Sequence, residues 1–225
     1  MKTLRSVTGI GMVDEYGEIF DKYPYEGEKG FRVEKTAHNK IIYSLEKQKK
    51  LLTVPKEVNI QCEEKAFMMP AKPIKYILGE SERLLVTDND LLAVFNTSGK
   101  LVALAPQVKF EDKYLLVADK VTLDKKWGAY TYDGDEIFPK EYKEIVCYTK
   151  EISGKEEDLF HVVSPVSGMS ALYSSDKRLL IPFDFYEIII TDENKVILFD
   201  DYPENNQQYI LKYDEKEELI AERIS

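Results

Sequence analysis

Two stretches of this chain carry one pattern. Ile137-Phe138-Pro139-Lys140-Glu141-Tyr142-Lys143-Glu144-Ile145 and Leu180-Ile181-Pro182-Phe183-Asp184-Phe185-Tyr186-Glu187-Ile188 both read apolar, apolar, Pro, two residues, aromatic, one residue, Glu, Ile. Recurrence at fixed spacing constrains a fold more tightly than composition does. Each copy is one supersecondary unit that cannot bury its apolar face alone and must pack on a neighbour. An earlier copy, from Thr53 to Ile60, keeps Pro55-Lys56-Glu57 with Val58 in the aromatic place, and Ala105-Pro106 is a weaker echo. Proline has no N–H to give a ladder, so the pattern predicts a proline corner that ends or bends one strand before the aromatic and Ile restart another.

Upstream of each copy stands a hairpin signal. Leu92-Ala93-Val94-Phe95 is followed by Asn96-Thr97-Ser98-Gly99 and then Leu101-Val102-Ala103-Leu104. Ala129 to Tyr132, Asp133-Gly134 and Ile137-Phe138 repeat the design, as do Ala171 to Tyr173, Ser174 to Lys177 and Leu179 to Ile181. Met12-Val13 to Ile19-Phe20, Ile41 to Tyr43 with Leu51-Leu52, and Ile210-Leu211 to Leu219-Ile220 are further copies. Asp-Gly supplies the positive φ of a tight turn. Additional apolar runs at 114–118, 159–163 and 196–199 bring the unit to four strands, at a spacing of roughly 40 residues. Glu151 to Phe160 has some helical character, but Ser153-Gly154 argues against a helix, and Glu215 to Arg223 is read as a strand from its place in the repeat.

The most complete copy runs Trp127-Gly128-Ala129-Tyr130, Asp133-Gly134, Ile137-Phe138-Pro139, Tyr142 and Glu144-Ile145. It resembles the WG-repeat family of bacterial proteins, whose pattern is a Trp-Gly pair, a short strand, a turn with Gly, an apolar-Pro step and a Tyr-Asp-x-Ile-like ending. The resemblance covers residues 89 to 191, with the second copy running from Gly168 to Ile188 without the Trp. It implies a β-rich repeat array with an interaction role and brings no catalytic residues. The expected fold is all-β: residues 1–225 form a single β-repeat domain of about five or six antiparallel meanders in a β-propeller-like array, an open stack of β-hairpins being the alternative. The opening unit lacks a clear leading strand and the final one a clear trailing strand, gaps that ring closure by both termini sharing one blade would explain, as would ordinary fraying.

Composition narrows the function classes. Over 225 residues, 44% hydrophobic and 32% charged content is too apolar for disorder and too charged for a membrane protein. Asp plus Glu number 41 against 31 Lys plus Arg, a net charge of -10, which disfavours phosphate backbones and therefore nucleic acid. Lys2 to Val13 makes a poor signal peptide, and no run approaches the roughly 20 apolar residues of a spanning helix, so a cytoplasmic, non-membrane protein is expected.

No constellation for chemistry emerges. His38 sits in a polar turn and His161 in a strand, neither with a second His or Cys at metal spacing. Cys62 and Cys147 follow Pro55 and Pro139 at nearly the same distance, so they read as related positions in different units and as buried free thiols. Acid clusters at Asp88-Asn89-Asp90, Asp133-Gly134-Asp135-Glu136, Asp192-Glu193-Asn194 and Asp200-Asp201 fall between strand runs, where turn formers are expected. Tyr23, Tyr25, Tyr130, Tyr132, Tyr148, Tyr202 and Tyr209 could face a sugar or peptide, with Tyr130 and Tyr132 on one strand face; packing between units is the simpler reading. No catalytic, metal or cofactor residue is assigned. A non-enzymatic interaction module with an unknown protein or glycan partner is the leading expectation. A carbohydrate-binding or glycoside-processing propeller and an acidic inhibitor of a basic toxin are the alternatives.

Overall fold

The computed structural model describes residues 2–6, 9–13, 19–21, 30–71, 74–78, 81–85 and 91–224. The fold is all-β, with five antiparallel sheets; among the described residues the one helical element is a 3-10 turn, Pro203–Asn205. No helix there is long and apolar enough to cross a membrane, which says nothing about strands. The chain divides into two compact units, Met1–Val108 with Tyr132–Gly134, and Lys109–Thr131 with Asp135–Ser225.

In the first unit, β1 (Lys2–Ser6), β2 (Gly9–Val13), β3 (Ile19–Asp21), β4 (Phe31–Lys35), β5 (Asn39–Ser44) and β6 (Lys49–Pro55) follow one another across an eight-stranded sheet. The second sheet is built from β7 (Gln61–Cys62), β8 (Ala66–Pro70), β11 (Leu92–Asn96) and β12 (Leu101–Ala105). Between its second and third strands, the hairpin of β9 (Ile74–Leu78) and β10 (Ser81–Leu85) leaves to join the first sheet, β9 pairing with β6. Phe31, Ile42 and Leu52 from the first sheet and Phe67, Met69 and Phe95 from the second share one buried core.

The remaining sheets are plain four-stranded meanders: β13 (Gln107–Phe110), β14 (Tyr114–Ala118), β15 (Trp127–Thr131), β16 (Glu136–Tyr142); β17 (Glu144–Ile152), β18 (Lys155–Val163), β19 (Ser170–Ser174), β20 (Leu179–Phe185); and β21 (Glu187–Ile190), β22 (Lys195–Phe199), β23 (Gln207–Tyr213), β24 (Leu219–Arg223). The expected hairpins at 92–104, 129–138, 171–181 and 210–220 are all present, and 151–160 and 219–223 are strands rather than helix. The hairpin of β2 and β3 also forms, though its turn at 14–17 lies outside the described residues. Among the described residues no sheet combines strands from both ends of the chain, so no blade shared by the two termini is formed there.

The period of two along each strand explains how the fourth sheet serves two cores at once. Phe160 and Ala171 face the third sheet, packing with Leu116, Trp127 and Phe138. Their neighbours Leu159 and Leu172 face the fifth, packing with Ile188, Val196 and Leu198. The two cysteines are indeed related positions: each lies in the first strand of its sheet opposite a buried phenylalanine, Cys62 with Phe67 and Cys147 with Phe160.

The prolines of the two fullest copies do not mark the corners. Pro139 lies inside β16 and Pro182 inside β20, both the outermost strands of their sheets, where a missing N–H costs no ladder bond. Each begins a bulge. Trp127 pairs with Tyr142 but Ala129 with Phe138; Ser170 pairs with Phe185 but Leu172 with Ile181. The chain turns to the next sheet only at Lys143 and Tyr186, and Pro106 occupies that corner place rather than the bulge. The bulge also accounts for the glycine after Trp127. A Cβ on Gly128 would lie 2.8 Å from the Phe138 carbonyl oxygen and 2.9 Å from the Lys140 nitrogen.

The turns repeat a clamp that uses side-chain oxygens. Asn96, Thr131, Ser174, Thr191 and Asp214 each accept the backbone N–H of the residue four further on, at 3.0, 3.0, 3.2, 3.2 and 2.9 Å. The residue three further on takes a positive φ: Gly99 (83°), Gly134 (90°), Lys177 (65°), Asn194 (60°) and Glu217 (59°). These are three-residue loops with a left-handed third residue, not two-residue Asp-Gly turns. Strand β15 therefore ends at Thr131, and Tyr132 lies in the turn rather than on a strand face with Tyr130.

Phe160, fully buried at the junction of the third and fourth sheets, should be costly to truncate: Phe160→Ala is expected to lower stability by about 3–5 kcal/mol in urea unfolding. Gly128→Ala should cost about 1–3 kcal/mol in the same measurement, because backbone atoms occupy the space the methyl needs.

Candidate functional site

The second unit has two chemically different ends. Within each meander, the first-to-second and third-to-fourth connections lie at one end, here called the turn end, and the second-to-third connection and the corner at the other, the loop end. Hydrogen bonds fix this across neighbouring sheets. The corner N–H of Lys143 donates to the carbonyl of Val163, the last residue of β18, and that of Tyr186 to Phe199, the last residue of β22.

The turn end is held by paired charges and polar bridges. Lys113 binds Asp158 at 2.8 Å, and Asp158 also accepts from the Tyr114 hydroxyl at 2.7 Å and Thr149 at 2.8 Å. Those donors hold the Asp158 carboxyl below its ordinary pKa against the opposing effect of burial, and burial first, then Asp158, pushes the Tyr114 phenol up. Lys150 pairs with Asp192, Lys155 with Glu217, and Asn194 donates to the Glu151 carbonyl at 2.7 Å. Lys177 reaches the Glu136 carbonyl at 3.2 Å.

The loop end is different. Its second-to-third-strand loops, 119–126, 164–169 and 200–206, expose large apolar side chains: Leu123 fully, Val166 at 94%, and Val121 and Tyr202 at 63% each. Tyr186, at the corner, is 45% exposed and hydrogen-bonded to Asp201, which raises its phenol pKa. Large apolar side chains exposed on several loops at one end of the same unit are the kind of surface that marks interaction sites. In repeat proteins, moreover, loop variation concentrates on one face, often the binding face.

The expected residues distribute between these surfaces. Of the described acid clusters, two are turn structure. The Asp133 carbonyl accepts from Lys100 at 2.6 Å, the Asp135 N–H donates to Thr131, Glu136 accepts from Tyr130 at 3.0 Å, and Glu193 pairs with Lys195 at 2.5 Å. Asp200 and Asp201 stand at the loop end, and Asp88 to Asp90 lies outside the described residues. Among the tyrosines, Tyr148 and Tyr209 pack against the core between the fourth and fifth sheets, while Tyr130 and Tyr132 are half-buried. Tyr202 is exposed, and Tyr23 and Tyr25 lie outside the described residues. Among the described residues no three His, Cys, Asp or Glu side chains gather as a metal ion would require. Cys62 and Cys147 are free thiols whose pKa burial pushes up to about 12, so neither offers a thiolate near neutral pH.

His38 lies exposed in a bend. His161 has a partner that spacing did not suggest, Ser170, with Nε2 2.9 Å from the hydroxyl oxygen. The pair does not make an activated nucleophile. Ser170 is buried and its hydroxyl donates to the Tyr186 carbonyl at 3.0 Å, so His161 serves as a donor to the serine oxygen rather than as its base. The pair ties β18 and β19 to the corner.

The first unit holds a cleft of about 710 Å³ among its turns, lined by Gly30, Glu46, Glu64, Asn96, Ser98 and Tyr132. Asn96 and Glu46 are engaged by neighbours within it. Asn96 donates to the Tyr132 carbonyl at 3.1 Å and accepts from Ser98 and Lys100, and Glu46 accepts from Lys47 and Thr97.

No protein-family model matches the chain, and no curated protein does. Among solved structures, it is similar at 12% identity to a chain described as the crystal structure of the eukaryotic initiation factor, over 99% of this chain and 84% of that one, with a TM-score of 0.22. A likeness that slight carries no argument about fold or function.

Burial holds the His161 imidazole below its ordinary pKa of 6.5, outweighing Glu144 and Glu187, which pull the other way. The unfolded chain therefore takes up this proton more readily than the folded one. The resulting stability is present at neutral pH and is lost as pH falls through 6.5 toward the lower folded value. In urea unfolding at successive pH values, His161→Gln, which keeps a donor for Ser170, should show a shallower loss between neutral and mildly acidic pH than the unaltered protein.

Proposed function

We infer that this chain is a non-enzymatic repeat scaffold of the WG-repeat type, which holds a protein partner on the loop end of its second unit. The observation that carries the reading is the exposure there of Leu123, Val166 and Tyr202, set against a turn end whose described charges are largely paired within the fold. A scaffold that invests its sheets in mutual packing leaves its connecting loops free to vary and to bind. A propeller-like array of the meanders is part of the same proposal, with the open stack as its rival; small-angle scattering distinguishes a compact ring from an elongated stack. The glycan reading draws less support, because Tyr130, Tyr148 and Tyr209 are engaged in packing or in hydrogen bonds of the fold.

Photo-crosslinking in cells tests the proposal. A benzophenone side chain placed at Leu123 or Val166 should give discrete protein adducts, while one placed at Asp192 on the turn end should not. Adducts from Asp192 alone, or a hydrolytic activity retained without any adduct, would count against it.

A further inference from the structure

The charges of the second unit are sorted between its ends. From Ser164 to Asp176, from Leu179 to Asn194 and from Val196 to Leu211 the sequence holds no Lys or Arg. The cations that punctuate this stretch, Lys177, Arg178 and Lys195, all belong to turn-end connections. The loop end of the fourth and fifth sheets is left with Asp184, Glu187, Asp200, Asp201 and Glu204, none of them paired with Lys or Arg among the described residues. Tyr186, with its hydroxyl on Asp201, and Tyr202 stand among these acids, and Val166 projects from the adjacent loop. Among the described residues the fifth sheet brings one cation to this end, Arg223, which stands opposite Tyr209 and is itself engaged; the others belong to the third sheet's side, where Lys120 is paired with Asp124 and Lys125 lies 5.4 Å from the Trp127 ring.

We propose that this half of the loop end docks a cationic protein segment, with apolar residues of the partner seated on Val166, Tyr186 and Tyr202 and its Arg or Lys side chains facing Asp184, Glu187, Asp200, Asp201 and Glu204. This rests on the interaction reading above and names the partner's chemistry. Unpaired carboxylates spread around an apolar patch fit an extended chain of alternating cationic and apolar residues. A point cation fits less well, since among the described residues no three carboxylates gather. A second copy of this chain would bring the same acids face to face, and phosphate backbones would be repelled.

Fluorescence anisotropy of the whole chain tests this with a fluorescein-labelled peptide alternating Arg and Leu. Two controls accompany it, one with Glu replacing each Arg and one with Ser replacing each Leu. The Arg-Leu peptide should bind, more weakly as salt rises, and both controls should bind at least roughly tenfold more weakly. Asp200→Asn with Asp201→Asn, and separately Val166→Ser with Tyr202→Ser, should each weaken binding roughly tenfold, while Asp192→Asn with Glu217→Gln should not. All these side chains lie on the surface, and an unchanged thermal melt confirms the fold of each variant. Failure of the Arg-Leu peptide to bind, equal binding of either control, or equal loss from the turn-end variant would overturn the proposal. Crosslinks from Val166 in cells that persist after Asp200 and Asp201 are neutralised would overturn the cationic partner while leaving the interaction reading intact. Absence of crosslinks from both Leu123 and Val166 would sink the two together.

Discussion

The second unit depends on one constraint: a four-stranded sheet of short strands cannot shield both of its faces, so each must press an apolar face on its neighbour. Phe138 shows how this is met. Its ring lies 5.1 Å from Phe160 and 5.4 Å from Tyr173, both in the next sheet, and 5.8 Å from Tyr142 in its own strand. The fourth sheet is clamped on both sides, and alternate residues of β18 and β19 are assigned to alternate cores. Burial of such aromatic and aliphatic side chains, about 1.5–3 kcal/mol each, outweighs anything the exposed ion pairs supply.

Once stacking is obligatory, the rest of the repeat has assigned tasks. The proline step becomes a bulge in the outermost strand, where the missing N–H does no harm and the local twist increases. Trp127-Gly128 places a buried indole beside a residue that lets the bulged backbone fold close. The clamp at Asn96, Thr131, Ser174, Thr191 and Asp214 satisfies a turn N–H with a short side chain and spares the loop from depending on glycine, as Lys177 and Glu217 at positive φ demonstrate. Most of the residues that first invite a chemical reading, including both cysteines, His161 and the acids of two clusters, are used up in this way.

Function is therefore left to what packing does not consume. In the second unit that is the loop end, where Leu123, Val166 and Tyr202 are exposed and where Asp184, Glu187, Asp200, Asp201 and Glu204 lack cationic partners among the described residues. Apolar side chains held in water and carboxylates left unpaired both cost a scaffold something in solubility or stability, and a binding partner relieves both costs together.

Much of the fold was legible in the sequence because strands advertise themselves locally. Alternating apolar runs, turn residues and the spacing from Pro139 to Ile145 and from Pro182 to Ile188 identified the all-β class, the hairpins and, for the second unit, the four-strand meander without any tertiary information; the eight-stranded first sheet departs from that unit. The clamp residues were legible too, as a column of Asn, Thr, Ser and Asp at turn starts, though spacing drew attention to the glycines instead. Register was not legible: whether a proline ends a strand or bulges it depends on which strand has an unpaired edge, a property of the sheet and not of the segment. The loop end was hidden for the same reason. Val166, Tyr202 and Asp200 are far apart in sequence and sit in unremarkable loops, and only the antiparallel alternation of strands, repeated in register through stacked sheets, brings them to one end and sends Lys177, Arg178 and Lys195 to the other.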